Sequence, residues 1–136
     1  MKFRLRMMGL LLLAVALVSG AGQQLSRKNN SSETGYVLAL ATANRFLNAW
    51  QAGDLETGIV LLSDHARKSQ SAESMEDLFS PGAARAFEIN HGKRDHGRYR
   101  FPVVMVFRKS DHLHRKFSEI VLVNSGKDDW VVDRLP

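Results

Sequence analysis

Apolar and polar positions change their rhythm three times along this chain. Residues 7–18 are apolar throughout apart from Gly9, with Lys2, Arg4 and Arg6 before them and Ser19, Gly20 and Ala21 after them. A basic start, a short apolar run and small residues in that order form the pattern of a secretory signal peptide. Residues 1–20 are therefore expected to be removed, with cleavage near Gly20 or Ala21, and the remainder to be periplasmic or secreted. The apolar run is shorter than the ~20 residues that a helix needs to cross ~30 Å of hydrocarbon. No membrane association is expected after cleavage. Residues 21–34 are polar and without period, and predict a disordered spacer.

From residue 35 the period is helical. Tyr36, Leu40, Ala43, Leu47 and Trp50 follow steps of three and four, and Ala39 and Phe46 widen the stripe. A helix over 35–52 with one buried face follows, with Thr34 as its cap and Gly53 as its left-handed end. Asp54 then caps a second helix over 55–67, which Gly58 should keep short, since glycine costs ~1 kcal/mol in a helix interior. A third helix is expected over 72–79, with Met75, Leu78 and Phe79 as its apolar side and Ser80, Pro81 and Gly82 as its stop.

The period then falls to two. Phe87, Ile89 and His91 alternate with polar residues, as do Tyr99, Phe101, Val103, Met105 and Phe107 with their neighbours. Residues 113–124 and 128–135 supply two more strands, separated by turn residues at Ser110-Asp111 and Ser125-Gly126-Lys127. Helices followed by an antiparallel meander predict an α+β fold, with N-terminal helices packed on a curved sheet of about four strands. A two-residue turn at Ser110-Asp111 would pair Phe101 with Ile120 and Val103 with Ser118. A three-residue turn would pair Phe101 with Val121 and Val103 with Glu119, and flip the strand. The first is favoured, because it keeps Arg115 and Glu119 off the aromatic face, where an unpaired charge costs several kcal/mol.

Composition narrows the classes. Of 19 basic and 14 acidic side chains, three basic ones and no acid lie in the signal segment, so the mature chain has 16 against 14, a net charge of +2. That excess is too small to suggest nucleic-acid binding. The chain has no Cys, which excludes disulfides, thiolate metal sites, a Cys nucleophile and a lipid-modified cleavage point. The mature length suits one domain over 35–136 held by its core alone.

The phrase FLNAWQAGDLETGIVLLSDHAR, with Phe46, Leu47, Trp50, Gly53, Asp54 and Leu62, followed by a meander with Trp130 in its last strand, resembles the nuclear transport factor-like superfamily. This superfamily includes ketosteroid isomerase-like and polyketide cyclase-like members. The resemblance covers about residues 36–135. It implies a cone, in which a bent sheet wraps the long helix and leaves a pocket at the open end, and pairing through the exposed sheet face. Val104 and Val106, flanked by Arg100 and Arg108, would suit such a homodimer. Fold alone does not select an activity, and no catalytic residue of the superfamily matches by motif here.

Candidate chemistry is sparse. Trp50, Tyr99, Phe101 and Trp130 could line a cone interior, since such rings combine apolar area with a polar handle. His91 and Glu119 are the only residues that could add an inward acid or base. His112 and His114 share a strand face, but zinc needs three or four ligands, so neither a metal nor a cofactor is expected. Asp64-His65 lacks a geometry for acid/base work. The basic segment 91–100, with Lys93, Arg94, Arg98 and Arg100, could receive an anion. Together these features predict an exported, non-catalytic module that binds a small apolar ligand or a protein partner. The rival is a small lyase or isomerase acting in the cone.

Overall fold

The computed structural model describes residues 20–80 and 84–136, with side chains from Asn30 onward. The expected signal segment lies outside the described residues except for Gly20. The chain forms two units, 1–33 and 34–136. Of the first, only the opening turns of helix α1 (Gly20–Ala52) are described. The stretch expected to be a spacer is thus helical here, and Thr34 sits inside the helix rather than capping it. No proline interrupts residues 21–34, and extending an existing helix by one residue costs far less than nucleating one.

Residues 34–136 are α+β. Helix α1 is followed by α2 (Leu55–Val60), α3 (Asp64–Ser69) and α4 (Ala72–Phe79). Strands β1 (Arg85–Ile89), β2 (Lys93–Asp95), β3 (Arg98–Lys109), β4 (His112–Gly126) and β5 (Asp129–Arg134) make one antiparallel sheet in the order β1-β3-β4-β5, with β2 also pairing with β3. The fifth strand, β2, was not foreseen. It continues the β1 edge after an interruption at residues 90–92.

The helical stripe of α1 is buried as its period predicts, with Ala39, Ala43, Phe46, Leu47 and Trp50 in the core. Gly53 ends the helix at φ +69°, the left-handed form that glycine adopts without penalty. Asp54 caps α2, its carboxylate accepting from the Thr57 backbone N–H at 3.1 Å and the Thr57 hydroxyl at 2.6 Å. The helix expected over 55–67 is split in two. At the break, Leu61 and Leu62 turn into the core, and residues 61–63 pair with β5. Val132 donates to the Leu61 carbonyl, and Ser63 donates to the Val132 carbonyl, both at 2.8 Å. Ser63 then caps α3, accepting from Ala66 N–H at 3.0 Å.

The register of β3 and β4 is the one a two-residue turn dictates: Phe101 faces Ile120 and Val103 faces Ser118. Ser110 and Asp111 both have positive φ, at 52° and 63°, as tight hairpins favour. Odd positions of β3 and even positions of β4 therefore face the helices. Phe101, Val103, Met105, Ile120 and Leu122 are buried there. The remaining positions form the outer face of the sheet.

Candidate functional site

The expected site residues separate into three places. His91, Tyr99, Phe101 and Trp130 come together around Tyr36, near the N-terminal end of the domain's part of α1. The Tyr36 ring lies 5.4 Å from His91, 5.6 Å edge-on from Tyr99 and 5.4 Å from Phe101, and Tyr99 lies 5.1 Å from Trp130. The Tyr36 hydroxyl accepts from the Gly92 backbone N–H at 3.1 Å and sits 3.1 Å from His91 Nδ1. Having accepted from Gly92, it can donate to His91 in the tautomer protonated at Nε2.

Gly92 makes this approach possible. A Cβ there would lie 2.4 Å from Phe101 Cδ1 and 2.9 Å from the Arg100 carbonyl. Tyr99, Phe101 and Trp130 are buried against one another and against the core, while the His91 ring is exposed. The rings thus fill the space between helix and sheet. Tyr36, which sequence reasoning placed only in a helical stripe, is the centre of the group. Its position one turn before the core residues of α1 was the available signal.

Trp50 belongs elsewhere. It lies fourteen residues further along α1, about 21 Å at 1.5 Å per residue. Its ring is covered by the Arg85 guanidinium at 5.4 Å, and its carbonyl accepts from Arg85 Nη1 at 2.7 Å. Burial draws the pKa of Arg85 below its usual value. Trp50 and Arg85 together tie the end of α1 to the start of β1.

Glu119 is on the outer face, opposite Pro102. Its carboxylate accepts from Arg100 Nε at 3.0 Å, and Arg100 Nη1 reaches Asp95 at 3.0 Å. The hydrogen bond to Glu119 is the first cause of a raised Arg100 pKa. Asp95 is held below the usual carboxylate range, first by its hydrogen bond to His96 and then by Arg100. Glu119 therefore does not join the aromatic group, and the inward acid that a cone enzyme would need is not supplied by this residue.

The outer face has its own pattern. The pairings set Ala86, Val106 and Arg115 in one row, Glu88, Val104 and Phe117 in the next, and Pro102 with Glu119 in a third. Phe117 is 74% exposed and Leu113, opposite Arg108, is 69% exposed. The expected grouping of Val104 and Val106 with Arg100 and Arg108 is present on this face. Phe117 and Leu113 were missed, although the favoured register already placed both on it.

Among the described residues, no group of three or more His, Cys, Asp or Glu side chains gathers as metal ligands do. The ring of His114 stacks on Phe107 at 5.7 Å. No helix of the described residues is long and apolar enough to cross a membrane. No protein-family model matches this chain, and no curated protein matches it in sequence.

Proposed function

We propose that the protein is an exported, non-catalytic interaction module that works through the outer face of its sheet and pairs there with a second copy. The observation behind this reading is Phe117, a large ring standing in solvent in a row with Val104. Pro102, Val106 and Ala86 lie in the adjoining rows, Leu113 stands one row beyond Arg115 on β4, and charged side chains rim the patch. An apolar centre with a polar rim is the anatomy of a protein interface.

The charge pattern selects a second copy as the occupant. Arg115 and Glu119 lie two residues to either side of Phe117 on β4, hence on the same face and ~7 Å away in opposite directions. A two-fold axis in the interface, crossing the strands at Phe117, sets Phe117 against its own copy. It also sets each Arg115 against the Glu119 of the other copy. A self-complementary patch of this kind is what an isologous pair requires. The same axis brings the two Glu88 side chains together at the edge strand and sets each Arg108 against the Arg100 of the other copy, where Arg100 is already paired with Asp95 and Glu119.

The helix order and the Gly53-Asp54 turn support a place in the nuclear transport factor-like superfamily. The packed rings around Tyr36 favour a surface partner over a small apolar ligand held inside. The lyase or isomerase reading draws no support from Glu119, whose carboxylate is bonded to Arg100 on the outer face.

Light scattering of the purified protein over a range of concentrations tests the pairing. A concentration-dependent dimer is expected. Phe117→Lys should give a monomer with unchanged circular dichroism, and Glu88→Gln should tighten the dimer. A strict monomer at the highest concentration reached would overturn the proposal.

A further inference from the structure

Past Glu119, the outer face ends in a cavity of about 350 Å³. Arg98, Arg100 and Arg134 line it together with His65, Ser69 and Asp133. The sheet register explains why three guanidinium groups meet here. Val121 is paired with Arg100 on one side and with Arg134 on the other, so the two arginines flank one buried valine in a single row. Arg98 is two residues from Arg100 on β3 and points to the same face. The opposite wall comes from α3, where His65 and Ser69 are four residues apart and share a helix side.

The charges are not equally engaged. Arg100 spends its guanidinium on Asp95 and Glu119, and Asp133 accepts from the Ser63 hydroxyl at 2.7 Å. Arg98 and Arg134 form no ion pair with a carboxylate among the described residues. Like charges crowded in a concave site repel each other unless an anion enters between them. Each guanidinium offers a planar fork of donors matched to phosphate or carboxylate oxygens. Asp133 and Ser69 are suited to hydroxyl groups, and the volume is that of a small-ligand site.

We propose that this cavity binds a small hydroxylated ligand through an oxyanion, phosphate or carboxylate, held by Arg98 and Arg134, with its hydroxyls directed at Asp133 and Ser69. The sequence hinted at half of this. The basic segment 91–100 contains Arg98 and Arg100, but Arg134 and His65 join them only through the β4–β5 pairing and the placement of α3. None of its lining residues lies in the Phe117 row, but the proposed axis sets Arg100 and Val121 against Arg108 and Leu113 of the second copy, so the same titration on the monomeric Phe117→Lys variant separates this site from the pairing.

The test is a titration of the purified, full-length processed protein, followed by arginine side-chain and backbone amide NMR signals. The probes are inorganic phosphate, glucose 6-phosphate, glucuronate and, as a neutral control, glucose. Saturable shifts at Arg98, Arg134 and α3 are expected with the anionic probes, and none with glucose alone. Glucose 6-phosphate should bind more tightly than inorganic phosphate, because only it engages Asp133 and Ser69. The relative response to glucose 6-phosphate and glucuronate assigns the oxyanion as phosphate or carboxylate.

Arg98→Ala and Arg134→Ala should each weaken binding by about tenfold, the usual scale for one charge-assisted pair. Both side chains are exposed, so neither change should disturb folding. Arg98→Lys should retain part of the affinity, because it keeps the charge and loses the fork. Absence of saturable shifts with every anionic probe, or equal binding by the Arg98→Ala/Arg134→Ala double variant, would overturn the assignment.

Discussion

Gly58 sits in α2 directly beneath the Phe79 ring of α4. A Cβ at this position would lie 2.3 Å from Phe79 Cζ, and Phe79 cannot easily retreat because it meets Phe46 of α1 edge-on at 5.6 Å. Two rules of helix chemistry then oppose each other. Propensity favours alanine over glycine by ~1 kcal/mol, whereas overpacking a filled core costs about 1–3 kcal/mol. Packing should win, so Gly58→Ala should lower stability in urea unfolding. A gain would mean that the Phe46–Phe79 pair adapts readily.

Charged residues also set a pH dependence at this scale. The Thr57 side-chain and backbone donors hold Asp54 below its usual pKa of 3.8, and His96 and Arg100 do the same for Asp95. A carboxylate whose pKa is depressed by folding stabilises the folded state above the unfolded pKa. That contribution is lost as pH falls through the folded value. The melting temperature should therefore drop below about pH 4. The drop should be smaller in Asp54→Ala, which has already lost its share. An equal acid response in both proteins would show that the cap does not couple to folding.

At the scale of elements, the β3–β4 hairpin was the most legible part of the chain. The parity of Tyr99, Phe101, Val103 and Met105, together with the cost of facing Glu119 inward, selects one register, and that register is observed. The hairpin carries a local compromise, since Ser110 and Asp111 hold positive φ without being glycine. Replacing them with Asn-Gly, the pair best suited to such turns, should raise stability by about 0.5–2 kcal/mol. No gain in thermal melting would contradict the turn geometry.

The helices were legible to a lesser degree. Helix α4 lies where its Met75, Leu78 and Phe79 spacing puts it. The single helix expected over 55–67 is broken at Leu61 and Leu62, where the chain leaves the helix to pair with Val132 of β5. Periodicity within one segment does not report an attachment to a strand seventy residues away. The same limit hid β2, which is three polar residues paired with β3.

For the whole molecule, the α+β class was readable because helix and strand periods occupy separate halves of the sequence. The site was not, because each candidate depends on long-range placement. His91, Tyr99 and Phe101 meet at Tyr36, and Trp130 joins them through Tyr99. Trp50 is claimed by Arg85, and Glu119 by Arg100. On the outer face of the sheet, the register exposes Phe117 between Arg115 and Glu119, the surface at which pairing is proposed.

The most direct test of that account uses the absence of cysteine in the chain. Val104 lies on the proposed two-fold axis, and facing sheets stand about 10 Å apart. Val104→Cys should therefore be joined to its own copy by a thiol-specific crosslinker of that span, whereas Val37→Cys on the exposed side of α1 should not. Efficient crosslinking at 104 alone is the predicted result. Equal yields at both positions, or none at 104, would contradict pairing through the sheet.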